Sequence, residues 1–248
     1  MVGDWLERTR FVWAATREAG ASLLTYELYP LGVIPRLSLR LWGNAGAGRV
    51  PILFLHGVFH NPSTFTWIRR KLRREGFCDF GEINLFNSLR SIEHNARRVA
   101  SAVEKLKTRN RCRKVDIVAH SMGGIVARYY LQKLGGEKNV RNLITLATPH
   151  QGIPWARYSV FPGIRELAPE HPTLLSLQKA PMPKTTQLVA ISGELDILMR
   201  PSGCDTWKGI RNIRLKDVGH AGLLFSDRVI QILVSHLNSP LSTAKLHA

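Results

Sequence analysis

Residues 115–124, Val-Asp-Ile-Val-Ala-His-Ser-Met-Gly-Gly, restrict this chain more than any other stretch of it. A largely apolar run of strand length stops at Ser121, and two glycines follow where a helix would begin. This pattern reads as a buried strand turning sharply into a helix. Small neighbours let the turn tighten until the serine hydroxyl stands clear of the sheet, over a helix N-terminus, in a nucleophile elbow. The usual spacing is Gly-x-Ser-x-Gly, and here Ala119 occupies the first glycine position, one methyl larger. A serine that merely caps a helix would explain Ser121 but not the small residues on both sides of it. Ser121 is therefore the candidate nucleophile.

Strand and helix patterns alternate around this turn. Strands are expected at 37–42, 50–55, 81–86, 115–119, 140–147, 187–192 and 210–218, and helices over 62–75, from residue 91, over 122–134 and over 226–237. Short unbroken apolar runs such as 50–55 suit strands covered on both faces. Their alternation with helices implies a mostly parallel sheet with helices on both faces and right-handed crossovers. From 150 to 183 the rhythm breaks: the segment is rich in proline, carries Trp155, Tyr158 and Phe161, and has no strand pattern. It is expected to be a cap over the site, its apolar residues forming either an acyl pocket or packed core. A chain of 248 residues suits one α/β domain spanning 1–248, with this insertion and an N-terminal extension at 1–35. Within the extension Trp5, Leu6, Val12, Trp13, Ala19 and Leu23 recur at helical spacing, largely opposite Asp4, Glu7, Arg8, Arg17 and Glu18. This amphipathic helix is expected to pack its tryptophans against the domain, the alternative being a helix lying on a membrane surface. The tail after Asn238 is expected to be loose.

A serine nucleophile needs a base, and the base needs a partner that fixes its tautomer. Asp196 lies just past the strand at 187–192, at the carboxyl end where catalytic loops gather, and is the first choice for the acid. Glu194 shares that loop with a longer reach, while Asp205 and Asp217 come later. His220, in a small-residue loop between the last strand and the last helix, is the candidate base. His236 falls inside the last helix, His247 in the tail, and His120 points elsewhere from the elbow. An oxyanion formed on attack requires N–H donors. Met122 supplies one, and the loop opened by His56 and Gly57 supplies the other, from Val58 or alternatively Phe59. His56 is expected to order that loop. His150 either approaches the site or holds the base of the cap, and stays outside the catalytic set.

Three widely spaced cysteines suggest neither a disulfide framework nor a zinc knuckle, and no metal is expected. The formal net charge is +17, with Lys and Arg crowding 69–74, 97–98 and 105–114. Such a surface attracts anions. These clusters lie on helical segments without interleaved aromatics for stacking bases, so they read first as a solvated basic face, and nucleic acid is not expected. An anionic membrane surface remains a candidate partner. Neither a signal peptide nor a transmembrane stretch is detected, so the expected location is cytoplasmic, with peripheral membrane association as a variant of it.

Leu55-His56-Gly57, the elbow from Ala119 to Gly124, Thr148-Pro149-His150-Gln151-Gly152, Gly193-Glu194-Leu195-Asp196 and Gly219-His220 together resemble lipases and esterases of the α/β-hydrolase superfamily. The elbow is similar to that of small bacterial lipases, and the resemblance covers roughly residues 50–240. It implies the α/β-hydrolase fold, no cofactor, and hydrolysis of a carboxylic ester of an acyl or lipid substrate through an acyl-enzyme. Ser121 would attack, His220 would shuttle the proton, Asp196 would orient His220, and Val58 with Met122 would hold the oxyanion. The same residues would serve a thioesterase, an acyltransferase or an amidase. A membrane-associated protein that keeps the fold without the chemistry is the reading from a different class.

Overall fold

Among the described residues the short apolar runs pair into one parallel sheet of six strands: β1 (Ile52–Leu55), β2 (Phe80–Ile83), β3 (Val115–His120), β4 (Val140–Leu146), β5 (Gln187–Gly193) and β6 (Arg211–Leu215). Their order across the sheet is β2-β1-β3-β4-β5-β6. The computed structural model describes residues 9, 12–13, 15–23, 49–85, 90–199 and 203–239; the strand expected at 37–42, Trp5 and the tail beyond 239 lie outside these.

Side chains of the central strands divide between two cores with the period of two that a strand imposes. Leu53 and Leu55 of β1, with Val115, Ile117 and Ala119 of β3, pack on the face covered by α2 (Ile92–Asn110) and α3 (Met122–Lys133). Ile52 and Phe54, with Val118, face α1 (Thr66–Arg74) and α6 (Asp227–Asn238). The stripe Ile92, Ala96, Val99, Val103 and Leu106 is buried along α2. The Ser91 side chain accepts the His94 N–H at this helix's start, and Arg111, at φ 51°, ends it. Between β4 and β5 the chain forms a 3₁₀ turn (Pro154–Tyr158), the short α4 (Pro162–Arg165) and α5 (Pro172–Lys179). Leu167, Leu174 and Leu177 of this insertion join the core on the α2 and α3 face, whereas Tyr158 is exposed.

Strand order reverses at β1, which has β2 on one side and β3 on the other. Loops leaving the carboxyl ends of β1 and β3 therefore diverge and open a crevice, the place where open α/β sheets bind ligands. Ser121 follows β3 and Gly57 follows β1, so both candidate site segments reach this crevice.

Two expectations need correction. Arg69 does not belong to a basic surface: it is 2% exposed, donates to Glu82 at 2.5 Å and to the Pro62 carbonyl at 3.0 Å, and lies over the Phe54 ring. Burial pushes its guanidinium down to about 10. The surface charge comes instead from residues such as Arg70, Arg74, Arg97 and Lys105. The N-terminal helical residues also turn the opposite way from expectation. Val12, Trp13 and Leu23 are exposed, Trp13 at 71%, while Ala21 is buried. Periodicity distinguishes two faces of a helix without saying which one the protein covers.

Asp116, fully buried on β3, ties the sheet to α6. Its carboxylate accepts Arg141 Nε at 2.9 Å and a terminal Arg141 nitrogen at 2.5 Å, together with the Asn142 backbone N–H. Arg141 in turn donates to the Leu237 carbonyl at the end of α6. Burial pushes the Asp116 carboxyl up, and its partners oppose that shift. Replacing the carboxylate would strand a mostly buried guanidinium. Asp116→Ala is therefore expected to lower unfolding free energy by about 3 kcal/mol or more, read from denaturant unfolding, with Asp116→Asn less damaging.

Candidate active site

Ser121 sits at φ 53° and ψ −128°, a conformation that a residue with a side chain rarely adopts and that costs on the order of 1–3 kcal/mol. The strain is held from several sides. Its N–H donates to the Leu146 carbonyl at 2.8 Å, its carbonyl accepts Gly124 N–H at 3.0 Å, and Thr148 Oγ1 donates to the same carbonyl at 3.0 Å. A Cβ on Gly123 would lie 2.5 Å from the Leu55 carbonyl oxygen and 2.7 Å from that of His56. A Cβ on Gly124 would collide with the Thr148 side chain. Ala119 has no such constraint, since its methyl packs into the core beside α2 and α3, which is why alanine serves there.

Met122 opens α3, where the first N–H groups have no acceptor within the helix. The loop after β1 approaches closely: a Cβ on Gly57 would lie 2.8 Å from Ser121 Cβ. His56 orders this loop through a defined tautomer. Its Nε2 accepts the Leu85 N–H at 2.8 Å, so its proton lies on Nδ1 and is donated to the Gly57 carbonyl at 2.9 Å. Burial holds this imidazole neutral, with its pKa down to about 4. Phe59 has φ 57°, and Val58 and Phe59 both line the crevice.

Asp196 is the carboxylate that meets His220. Its Oδ2 lies 2.7 Å from His220 Nδ1, and its Oδ1 accepts the N–H groups of Leu198 and Met199 at 3.0 and 3.2 Å. With Nδ1–H turned to Asp196, Nε2 is the free basic nitrogen. Both residues are buried. Glu194 is exposed, and its N–H binds the Leu215 carbonyl. Asp205 is buried near Asp196; burial raises its carboxyl, Arg214 opposes the shift, and the Asp196 charge adds to it. His120 Nε2 donates to the His220 carbonyl at 3.2 Å, so the histidine beside Ser121 steadies the backbone at His220. His150 holds the insertion: its Nε2 meets Thr145 Oγ1 at 3.0 Å, its ring stacks on Trp207, and Arg128 donates to the carbonyls of His150 and Leu177.

Ser121 and His220 face one cavity of about 400 Å³, within the range of small-molecule pockets. The insertion contributes Ile153, Trp155, Ile164 and Leu167 to its wall, and the loop after β5 contributes Ile197, Leu198 and Met199. Such a lining accommodates a hydrocarbon chain beside a strained serine and a carboxylate-bound histidine.

Residues 51–180 match the family model for palmitoyl protein thioesterase, just over half of the chain. The chain belongs to the palmitoyl protein thioesterase family. The matched span carries the loop after β1, the elbow and the insertion, and stops before Asp196 and His220. Over 127 residues the chain is 30% identical to the GPI inositol-deacylase of Candida albicans, a match covering 43% of this chain and 33% of that protein. The chain thus aligns with about a third of the length of that curated relative. Among solved structures, lipase B of Aspergillus fumigatus superposes with a TM-score of 0.68 at 16% identity, covering 83% of this chain and 58% of that one. A mature lipase of Bacillus licheniformis gives 0.63 at 18% identity, covering 79% and 96%. The palmitoyl thioesterase-family chain has the α/β-hydrolase fold seen in these lipases.

Sequence reasoning missed Ser22, His60 and, most consequentially, Glu18 of this family member's site. Glu18, read as lying opposite the apolar positions of the N-terminal helix, lines the cavity and binds the backbone beside His220. A glutamate on a polar helix face carries no local mark of such a contact, which spans 203 residues of sequence.

Buried neutral histidines give the site a pH signature. Burial lowers His56 and His60 to about 4 and holds His120 and His150 well below their ordinary range. In the unfolded chain these imidazoles take up protons near pH 6.5, so acid favours unfolding. Their contribution is fully present above about pH 6.5 and is lost progressively as pH falls toward 4. Each such group adds a slope of up to ~1.4 kcal/mol per pH unit. Urea unfolding at pH 7, 6 and 5 is expected to show stability falling at each step, and His56→Gln to reduce the slope.

Proposed function

We propose that this protein is a serine acyl hydrolase that cleaves a long-chain acyl ester through an acyl-enzyme. Ser121 is the nucleophile, His220 the general base and acid, Asp196 its orienting carboxylate, and the N–H groups of Met122 and Val58 the oxyanion donors. One observation carries the reading: a strained serine and a histidine bonded at 2.7 Å to a buried aspartate face a single apolar cavity.

In this mechanism His220 Nε2 takes the Ser121 hydroxyl proton as Oγ attacks the acyl carbonyl, and the developing oxyanion meets the two N–H donors. The tetrahedral species collapses, the carbon–oxygen bond to the leaving alcohol breaks, and His220 returns the proton to that alcohol. Water then attacks the acyl-enzyme, giving its proton to His220. Collapse of the second tetrahedral species releases the carboxylic acid, and His220 reprotonates Ser121. Asp196 holds the Nδ1–H tautomer throughout and stabilises the imidazolium.

The family match favours a second substrate bond, an acyl thioester, for which a thiol leaves in place of the alcohol. Exposed apolar side chains also gather at the cavity: Phe59, Trp155, Ile197 and Leu198 line it, and Phe161 packs edge-on against Phe59. With the net charge of +17, they support access to the substrate from an anionic lipid surface. Among the described residues, no helix is long and apolar enough to cross a membrane.

Turnover of p-nitrophenyl esters is expected to rise with acyl length until the cavity is full, by about fourfold in kcat/KM per methylene, the equivalent of ~0.8 kcal/mol of burial. A flat series would count against the acyl pocket. Ser121→Ala is expected to abolish labelling by a fluorophosphonate and to reduce kcat at least about 10³-fold; Asp196→Asn should reduce it by about 10⁴-fold through the wrong tautomer. Faster turnover of an S-acyl peptide than of the matched oxygen ester would select the thioester. Co-sedimentation with anionic but not neutral vesicles, weakened by salt, tests the lipid surface.

A further inference from the structure

The loop that carries His220 is bordered by glycines at 219 and 222 and has little intrinsic rigidity. Its position is imposed from outside. Glu18, on the helical residues 15–23, places one carboxylate oxygen 2.6 Å from the Ala221 N–H and the other 2.9 Å from the Gly222 N–H. These two residues follow His220 and open the 3₁₀ turn Gly222–Phe225, whose first N–H groups lack acceptors within the turn. The two glycines leave room for the carboxylate. A Cβ on Gly219 would collide with it, and one on Gly222 would lie 2.9 Å from Oε2. The same carboxylate helps to wall the cavity that Ser121 and His220 face.

His220 is thus held at three points. Asp196 takes its Nδ1, His120 donates to its carbonyl, and Glu18 takes the two N–H groups that follow. We propose that Glu18 is a positioning residue for His220, which makes the N-terminal helical segment part of the catalytic apparatus. The inference rests on the function proposed above. Its physical basis is that proton transfer tolerates little misplacement, an error of about 1 Å costing on the order of 10²-fold in rate. Two charge-assisted hydrogen bonds on the neighbouring backbone are the restraint that a glycine-bordered loop lacks by itself.

The test compares Glu18→Ala, Glu18→Gln, Gly219→Ala and the double variant Glu18→Ala/Gly219→Ala in the full chain. Glu18→Ala is expected to lower kcat on a p-nitrophenyl ester about tenfold or more while KM stays within about twofold, because the apolar residues of the cavity wall, Ile153, Trp155, Ile164 and Leu167 among them, are unchanged. Glu18→Gln, which keeps the length and one acceptor oxygen, should fall between it and the wild type. Gly219→Ala should reproduce the loss by displacing the carboxylate, and the double variant should lose no more than Glu18→Ala alone. The downfield proton resonance of the His220–Asp196 hydrogen bond should exchange faster with solvent in Glu18→Ala. A kcat within twofold of wild type in Glu18→Ala, or additive losses in the double variant, overturns the positioning role. If the wild-type chain hydrolyses no acyl ester or thioester and Ser121 resists the fluorophosphonate, the proposed function falls. The proton resonance then decides the clamp by itself, and unchanged exchange in Glu18→Ala overturns it.

Discussion

The carbonyl oxygens of Leu55 and His56, at the end of β1, come so close to the first turn of α3 that position 123 has room only for hydrogen. Much of the site depends on this approach. It sets the helix N-terminus directly against the loop after β1, beside Ser121. It also leaves the strand-to-helix turn no relaxed path, and Ser121 takes up the resulting strain at φ 53°. Hydrogen bonds from Ser121 N–H to Leu146 and from Thr148 to the Ser121 carbonyl keep the turn from relaxing. Strain of this kind persists only where the surroundings over-determine it.

The other half of the site is built differently. Asp196 and His220 lie on loops after β5 and on the far side of β6, and their mutual position is set by backbone hydrogen bonds. Glu194 N–H binds the Leu215 carbonyl, and Leu195 N–H binds that of Val218. Gly193 has no space for a side chain because the Val218 carbonyl lies against it. Ser121 is therefore placed by steric contact between backbones, whereas His220 is placed by a set of polar restraints, of which Glu18 is the most remote in sequence.

Between these halves runs a group of buried imidazoles. His56, His120 and His150 each fasten a loop through a neutral ring, and none carries a charge at neutral pH because burial disfavours the imidazolium. Neutral rings suit the task, since a charged group beside Ser121 would perturb the proton transfers proposed for His220. Arg128 adds a further fastener, linking α3 to the insertion through the His150 and Leu177 carbonyls. The apolar wall of the cavity thus rests on polar supports behind it.

Much was legible in the sequence because the relevant constraints are local. Periodicity marked the strands at 50–55, 115–119, 140–147 and 187–192, and small residues marked the elbow, because a pleated strand and a tight turn restrict the residues that form them. The Asp196 and His220 loops were recognisable as strand ends, although Glu194 could be set aside only once it was seen to be exposed. The described N-terminal residues were read with the wrong face inward, and Arg69 was read as surface. Both errors share one cause: composition and spacing report that a side chain is polar, not which distant group satisfies it. Sequence alone determined a parallel α/β sheet with a serine elbow, since those features follow from neighbours in the chain. Tertiary structure alone decided which carboxylate meets His220, which residues wall the cavity and where Glu18 goes, because those contacts join segments up to 204 residues apart.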